Sequence, residues 1–385
     1  MAKPKLRFPE FTDEWEEKQL KDFMVFKNGL NADKDKFGSG IKFISVMDIL
    51  NNPFITYGVI RGNVDVDEKT LNNYSVTYGD VLFQRSSETR EDAGKSNVYL
   101  DKENIATFGG FVIRGKKTGD YSPEFMNSLL KSPKVRKEIT SKAQGAQHIN
   151  VGQETLENVS IILPTVKEQK KVADFLSSID DIIQVQEGKI VALEEQKRGM
   201  MQKLFNREVR FKADDGSEYP EWKKKFIREC CIYSSSAISA GMVLNDGKYE
   251  LFDANGKIGY INECSNKPYI SIIKDGAGVG RIRLLPEDTF CIGTMGLLYP
   301  VDTIDIKFLY YRLVQFDFRK YIVGGAIPHI YFKDYGVGEV YIPISSEQQK
   351  IADCLSAYDE AIQIKKDKLE VWKEIKKGLL QQMFV

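Results

Sequence analysis

The feature that most constrains this chain is that it repeats itself. Ile162-Leu163-Pro164-Thr165-Val166-Lys167-Glu168-Gln169 returns as Tyr341-Ile342-Pro343-Ile344-Ser345-Ser346-Glu347-Gln348, and the stretches then run on without a gap to Leu204-Phe205 and Met383-Phe384. More than a third of the aligned positions are identical, among them Ala173/Ala352, Asp174/Asp353, Asp180/Asp359, Gln184/Gln363, Gly199/Gly378 and Gln202/Gln381. Two unrelated helices would not match so often, so the chain is two copies of one plan. The repeat reaches back more weakly. Val135-Arg136-Lys137-Glu138-Ile139 answers Phe318-Arg319-Lys320-Tyr321-Ile322, and Gly145-Ala146-Gln147-His148-Ile149 answers Gly325-Ala326-Ile327-Pro328-His329-Ile330. The only two histidines thus fall at equivalent places. Arg7-Phe8 with Glu14-Trp15 is echoed by Arg210-Phe211 with Glu221-Trp222.

The well-repeated segments read as helices. Positions 172, 176, 179, 183, 186, 190, 193, 197, 200 and 204 carry Val, Leu, Ile, Ile, Gln, Ile, Leu, Lys, Met and Leu, and the second copy shows the same four-three spacing from Ile351 to Met383. Polar residues fall on the same two rungs, Gln186/Lys365 and Lys197/Lys376. Such spacing is a coiled-coil seam, in which a polar rung sets register. A helix of about 39 residues is roughly 58 Å long, too long to bury its stripe on one ordinary domain. The two copies are therefore expected to pack on each other, antiparallel, with the globular segments carried to opposite ends.

The less repeated segments read as mixed α+β. Strands are predicted at 42–46, 54–57, 80–83 and 111–113 with a helix near 123–141, then at 249–252, 259–261, 269–273, 281–284 and 290–292 with a helix near 305–322. The expected division is 1–163 and 208–342 as globular domains, with 164–207 and 343–385 as helices. Lys212-Ala213-Asp214-Asp215-Gly216-Ser217 is a polar, turn-rich join.

Charge narrows the function. Lys+Arg and Asp+Glu both number 55, which excludes a chain-wide polycation, so any nucleic-acid surface must be local. It is: 111–145 holds eight basic residues against three acidic, and 306–335 holds five against two. Basic clusters of this kind displace counterions from phosphates. Two loops per copy carry groups suited to base edges, since Arg reads guanine while Asn and Gln read adenine. In the first copy the candidate contacts are Arg85, Ser86, Arg90, Lys95, Arg136, Lys137, Lys142, Gln144, Gln147 and His148. In the second they are Lys274, Arg281, Arg319, Lys320, His329, Tyr331 and Lys333.

Catalytic patterns fail. Gly276-x-Gly278-x-Gly280 is followed by a strand instead of a helix, so it does not make a dinucleotide loop. A phosphate-binding G-x-x-x-x-G-K-[ST] run is missing, and Asn52-Pro53-Phe54 lacks the second proline of an amino-methyltransferase tetrapeptide. Five cysteines without C-x-x-C spacing, two of them adjacent, suit reduced thiols and not a zinc site. The first residues lack an apolar leader and no long apolar run occurs, so a cytoplasmic chain without membrane contact is expected.

The paired Pro-(x3)-Glu-Gln-(x2)-(Val/Ile)-Ala-Asp openings at 164–174 and 343–353, the two Gly-Ala…His-Ile loops and Gly79-Asp80-Val81-Leu82-Phe83 make the chain resemble the specificity subunit of type I restriction-modification enzymes along essentially its full length. The Gly-Asp-Val-Leu pattern has no clean second copy; Tyr269-Ile270-Ser271-Ile272-Ile273 stands in its place. The resemblance implies a non-catalytic reader of double-stranded DNA. Each globular part would be a target recognition domain for one half of a bipartite, asymmetric site. The helices would set the spacer and dock two methylation subunits, with restriction subunits joining the full complex. S-adenosylmethionine, ATP and Mg2+ would belong to those partners and none to this chain. The other reading is a coiled-coil adaptor that binds protein and not DNA.

Overall fold

The computed structural model describes residues 3–385; Met1 and Ala2, the first residues of the leader reading, lie outside them. The chain forms two compact units, one made of the chain up to Glu187 together with Lys368–Val385, the other of Gly188–Asp367. Both are α+β.

The first unit holds strands β1 (Glu16–Gln19), β2 (Met24–Asn28), β3 (Phe37–Ile44), β4 (Gly62–Val64), β5 (Val81–Gln84), β6 (Ser86–Ser87), β7 (Ser96–Val98), β8 (Thr107–Phe108), β9 (Val112–Lys117), β10 (Ile149–Asn150) and β11 (Ser160–Leu163). Its central sheet has the order β2-β9-β5-β7, beside a smaller sheet β4-β3-β8 in which β3 and β8 are parallel. The second unit holds β12 (Lys223–Phe226), β13 (Cys231–Ser235), β14 (Tyr249–Phe252), β15 (Lys257–Ile261), β16 (Tyr269–Ile273), β17 (Ile282–Leu285), β18 (Thr289–Cys291), β19 (Met295–Pro300) and β20 (Glu339–Ile342). Its sheets are β13-β19-β16-β17 and β15-β14-β18, with β14 and β18 parallel. The two larger sheets and the β1-β11 and β12-β20 pairs correspond strand for strand, and the short β6-β10 pair belongs to the first unit alone. Tyr269–Ile273 occupies the place of Val81–Gln84, at which the residue pattern of the repeat fades.

Helix α1 (Pro123–Lys131) and helix α2 (Pro133–Lys142) replace the single helix expected near 123–141. Pro133 causes the break: a proline ring clashes with the preceding turn and lacks the N–H that a continuing helix needs, yet suits a first helical position. The long helices are α3 (Val166–Phe205) and α5 (Ser345–Met383), and between them α4 (Ile306–Val314) stops well short of the expected 322. Past it, Asp317 caps a separate 3-10 turn, Phe318–Tyr321. The strand expected at 54–57 is a single bridge at Ile55 followed by a 3-10 turn, Tyr57–Val59.

The repeated Glu-Gln pair explains itself as a structural lock. Glu168, 1% exposed, accepts two bonds from the Arg7 guanidinium, each of 2.8 Å, and one of 3.2 Å from the Trp15 indole N–H. Glu347 does the same with Arg210, at 3.1 and 3.0 Å, and with Trp222 at 3.1 Å. Gln169 takes the Ser122 backbone N–H ahead of α1 and Gln348 takes that of Asp305 ahead of α4. Each long helix is thereby tied at its first turn to the segment that opens its repeat and to a short helix.

Within the units, the four-three stripe is buried at the helix-end rungs and buried or half-buried at the others. Val172 and Leu176 of α3 share a core with Met383 and Phe384 in the first. Met201 and Leu204 share one with Ile351 and Leu355 in the second. Asp180–Lys376 and Glu187–Lys373 ion pairs join the two helical segments of the first unit, and Glu194–Lys366 and Lys197–Asp359 those of the second. In each pairing residue numbers rise on one helix as they fall on the other, so the segments run antiparallel. Both lysines of the second polar rung, Lys197 and Lys376, are thus engaged.

Candidate nucleic-acid interface

In each unit the strand at the heart of the central sheet delivers a loop to the Gly-Ala…His-Ile segment. In the first, β5 ends at Gln84, and β6 two residues later pairs with β10, setting Ser86 opposite Asn150 and Ser87 opposite Ile149. The Val151 N–H donates to the Arg85 carbonyl over 2.9 Å, and Gln144 and Asn150 exchange backbone bonds of 2.9 and 2.7 Å. This closes the loop that presents Gln147 and His148, both exposed. Gly145 lies at φ +118°, and a Cβ there would stand 2.0 Å from the His148 carbonyl oxygen, so the turn requires glycine.

The candidate cations sort by what already holds them. Arg136 donates to the carbonyls of Gly94 at 2.7 Å, Ala93 at 2.7 Å and Glu91 at 2.9 Å. Burial lowers the pKa of its guanidinium. It clamps the 85–95 loop from beneath. Arg90 likewise bonds the carbonyls of Thr140 and Ala143. Lys95 pairs with Asp92, and Lys142 with Glu138 and the Asn158 carbonyl. Arg85, Lys137 and Gln144 are exposed. Of the basic residues counted along 111–145, Arg114 is buried at 5% exposure and donates to the Ser75 carbonyl. Lys131 is also drawn inward, its ammonium lowered to about 8 chiefly by burial and then by Lys376. In the second basic stretch Arg312 lies over the Phe205 ring. The sequence count therefore overstates the free positive charge.

The second unit assembles its loops differently. Asp275 bridges to His329 through the backbone, and the His329 Nδ1 lies 2.7 Å from the Asp275 carboxylate. Tyr331 stacks beside His329, and Lys333 sits 5.5 Å over the Tyr331 ring. Lys274, Asp275, Tyr331 and Lys333 line a cavity of about 380 Å³. Gly276, Gly278 and Gly280 all have φ near +84°, making the β16–β17 turn a hairpin, with the exposed Arg281 folded across Gly278. Arg319 pairs with Asp317 in the open, and Lys320 is exposed.

Sequence reasoning missed Phe111, 71% exposed, whose carbonyl accepts the Arg85 N–H. With Phe37, Met47 and Ser86 it lines a cavity of about 480 Å³ beside the loop. Gly109-Gly110 just before it was the available signal, since Gly110 lets Asn31 approach too closely for any side chain. Among the described residues no cluster of His, Cys, Asp or Glu could hold a metal ion. Burial pushes the Cys230 and Cys291 thiols up to about 11 and the Cys231 thiol to about 12, keeping them protonated and inert. No helix among the described residues is long and apolar enough to cross a membrane.

Known proteins match this arrangement. The family described as "Type I restriction modification DNA specificity domain" matches residues 12–195 and again 219–374. A protein of Methanocaldococcus jannaschii ascribed to the type I restriction enzyme MjaX as its specificity subunit is 28% identical, over 98% of this chain and 94% of its own. The MjaVIII specificity subunit of the same organism is 24% identical, over 97% and 92%. The crystal structure of a type I restriction-modification S subunit from M. genitalium shares the fold at a TM-score of 0.60, with 18% identity, over 100% of this chain and 99% of that one. A chain from a study of complex assembly and conformational transition in a type I system follows at 0.57, with 13% identity, over 97% and 98%. The chain belongs to the type I restriction-modification DNA specificity family, whose business is the recognition of a DNA target.

Proposed function

We propose that this chain is the non-catalytic reader of a type I complex, with 1–163 and 208–342 each reading one half of a bipartite, asymmetric site. The helices 164–207 and 343–385 act as an antiparallel coiled coil that sets the spacer, and they dock two methylation subunits, to which restriction subunits add. S-adenosylmethionine, ATP and Mg2+ are supplied by those partners in the cytoplasm. The observation that carries this is a shared scaffold bearing unlike tips. Both units offer a loop pair at the same place, but Arg85, Gln144, Gln147 and His148 face outward in one, and an Asp275–His329–Tyr331–Lys333 group stands in the other. Unlike tips read unlike half-sites. On one face of the duplex these would sit about one turn, ~34–36 Å, apart.

The test is a methylome of cells carrying the chain with its methylation subunit. An asymmetric split target supports the proposal; methyl transfer by the purified chain alone, or DNA binding indifferent to salt, refutes it. Gln147→Ala or Arg85→Ala is expected to relax one half-site only, by about 1–3 kcal/mol of discrimination at the base concerned. Lys137→Ala should weaken binding to every sequence and reduce the salt slope by about one, as loss of a phosphate contact does. Arg136→Ala acts otherwise, because it frees three loop carbonyls. It should blur the first half-site, and an unchanged methylome in that variant contradicts the clamp.

A further inference from the structure

The two units differ at one buried position in a way that defines a ligand. Helix α4 places Tyr311, 4% exposed, against the long helices of its unit. Its hydroxyl donates to Asp359 Oδ2 over 2.6 Å and lies 3.4 Å from Ser356 Oγ. Lys197 covers the ring at 4.9 Å and holds the other Asp359 oxygen at 2.6 Å. The register onto the first unit is fixed twice over. Asp305 and Ser122 stand at the same place through their glutamine bonds, and Phe308 and Phe125, three residues on, meet Trp222 and Trp15 at ring distances of 6.2 and 6.3 Å. The counterpart of Tyr311 is therefore Ser128.

The groups that receive the phenol are nonetheless retained. Ser177 stands for Ser356, Asp180 for Asp359 and Lys376 for Lys197. All three, with Ser128, line a cavity of about 750 Å³ in the first unit. Lys376 engages Asp180 Oδ1 as Lys197 engages Asp359, and among the described residues nothing donates to Asp180 Oδ2. Phe54, Ile183 and Leu380 give the cavity apolar walls. Its volume lies within the usual range of small-ligand sites and exceeds the needs of one ring, leaving room for the backbone on either side of it.

We propose that this cavity binds the tyrosine side chain of a second polypeptide, the ring between Ser128 and Lys376 and the hydroxyl donating to Asp180. The site repeats in trans what Tyr311 does in cis. It goes beyond the DNA-reading assignment and does not depend on it.

The experiment titrates the full chain with N-acetyltyrosinamide by calorimetry and saturation-transfer NMR. Binding is expected with a dissociation constant on the order of 1 mM. N-acetylphenylalaninamide, lacking the hydroxyl, should bind about tenfold more weakly, the usual worth of a hydrogen bond to a charged group. Ser128→Tyr should abolish binding by filling the cavity from within and leave the melting temperature at or above that of the unaltered chain, whereas Ser128→Ala should leave binding intact. If Ser128→Tyr does not fold, Asp180→Asn decides, with an expected weakening of about tenfold. Undiminished binding in Asp180→Asn, equal affinity for the phenylalanine compound, or no binding to the unaltered folded chain overturns the proposal. So does tighter binding of p-cresol than of N-acetyltyrosinamide, which would point to a free phenol as the ligand.

Discussion

Replacing Glu168 with alanine is expected to lower the stability of the first unit by about 3 kcal/mol, the lower end of the range for breaking a buried ion pair. The carboxylate is 1% exposed, and three donors converge on it from a segment some 150 residues earlier. Its removal leaves the Trp15 N–H facing a void and the Arg7 guanidinium, still 14% exposed, only partly able to reach water. That residual access is why the loss stays at the low end. Glu347→Ala should do the same to the second unit through Arg210 and Trp222, so urea unfolding followed by tryptophan fluorescence should show an early transition in each variant. Glu168→Gln keeps an acceptor for the indole and should lose less. A drop below about 1 kcal/mol in the alanine variant would mean that the lock contributes little beyond a surface pair.

The second large effect concerns the spacer. Inserting one heptad after Ile190 and another after its repeat counterpart Leu369 preserves the apolar seam while lengthening each helix by about 10 Å. With base pairs ~3.4 Å apart, the unspecified gap in the target should grow by about three base pairs while both half-sites stay as they were. Methylome sequencing reads both quantities at once. A changed half-site would show that the helices shape the reading loops, contrary to the role proposed for them.

Much of this molecule was legible in its residues because it is written twice. Glu168/Glu347 and Gln169/Gln348 were visible as identities before their partners were known, and Arg7-Phe8 with Glu14-Trp15 already pointed to the other side of the lock. The four-three stripe gave both long helices nearly to the residue. What failed to show was whatever depends on burial. Arg114, Lys131 and Arg136 look like surface charge in a string, yet one is interior, one drawn inward and one spent on carbonyls. Strand β2 escaped notice because Met24-Val25-Phe26-Lys27-Asn28 is too short and mixed to declare a period. Phe54–Tyr57 has the composition of a strand, but only Ile55 finds a partner. The candidate loops are joined from segments some 60 residues apart, so the sequence offers candidate residues in them but not the contacts those residues make.

One pattern in the long helices has a consequence for how such chains can be rearranged. Glu187 corresponds in the repeat to Lys366, and Glu194 to Lys373, so the ion pairs Glu187–Lys373 and Glu194–Lys366 each join one sign from the first copy to the opposite sign from the second. A polypeptide stitched from two front halves would confront acid with acid at both levels, and one stitched from two rear halves base with base. Shuffling that exchanges a front for a front keeps all four contacts, whereas doubling either half keeps the Asp180–Lys376 and Lys197–Asp359 type of pair and sets like charges together at the other two, exposed levels.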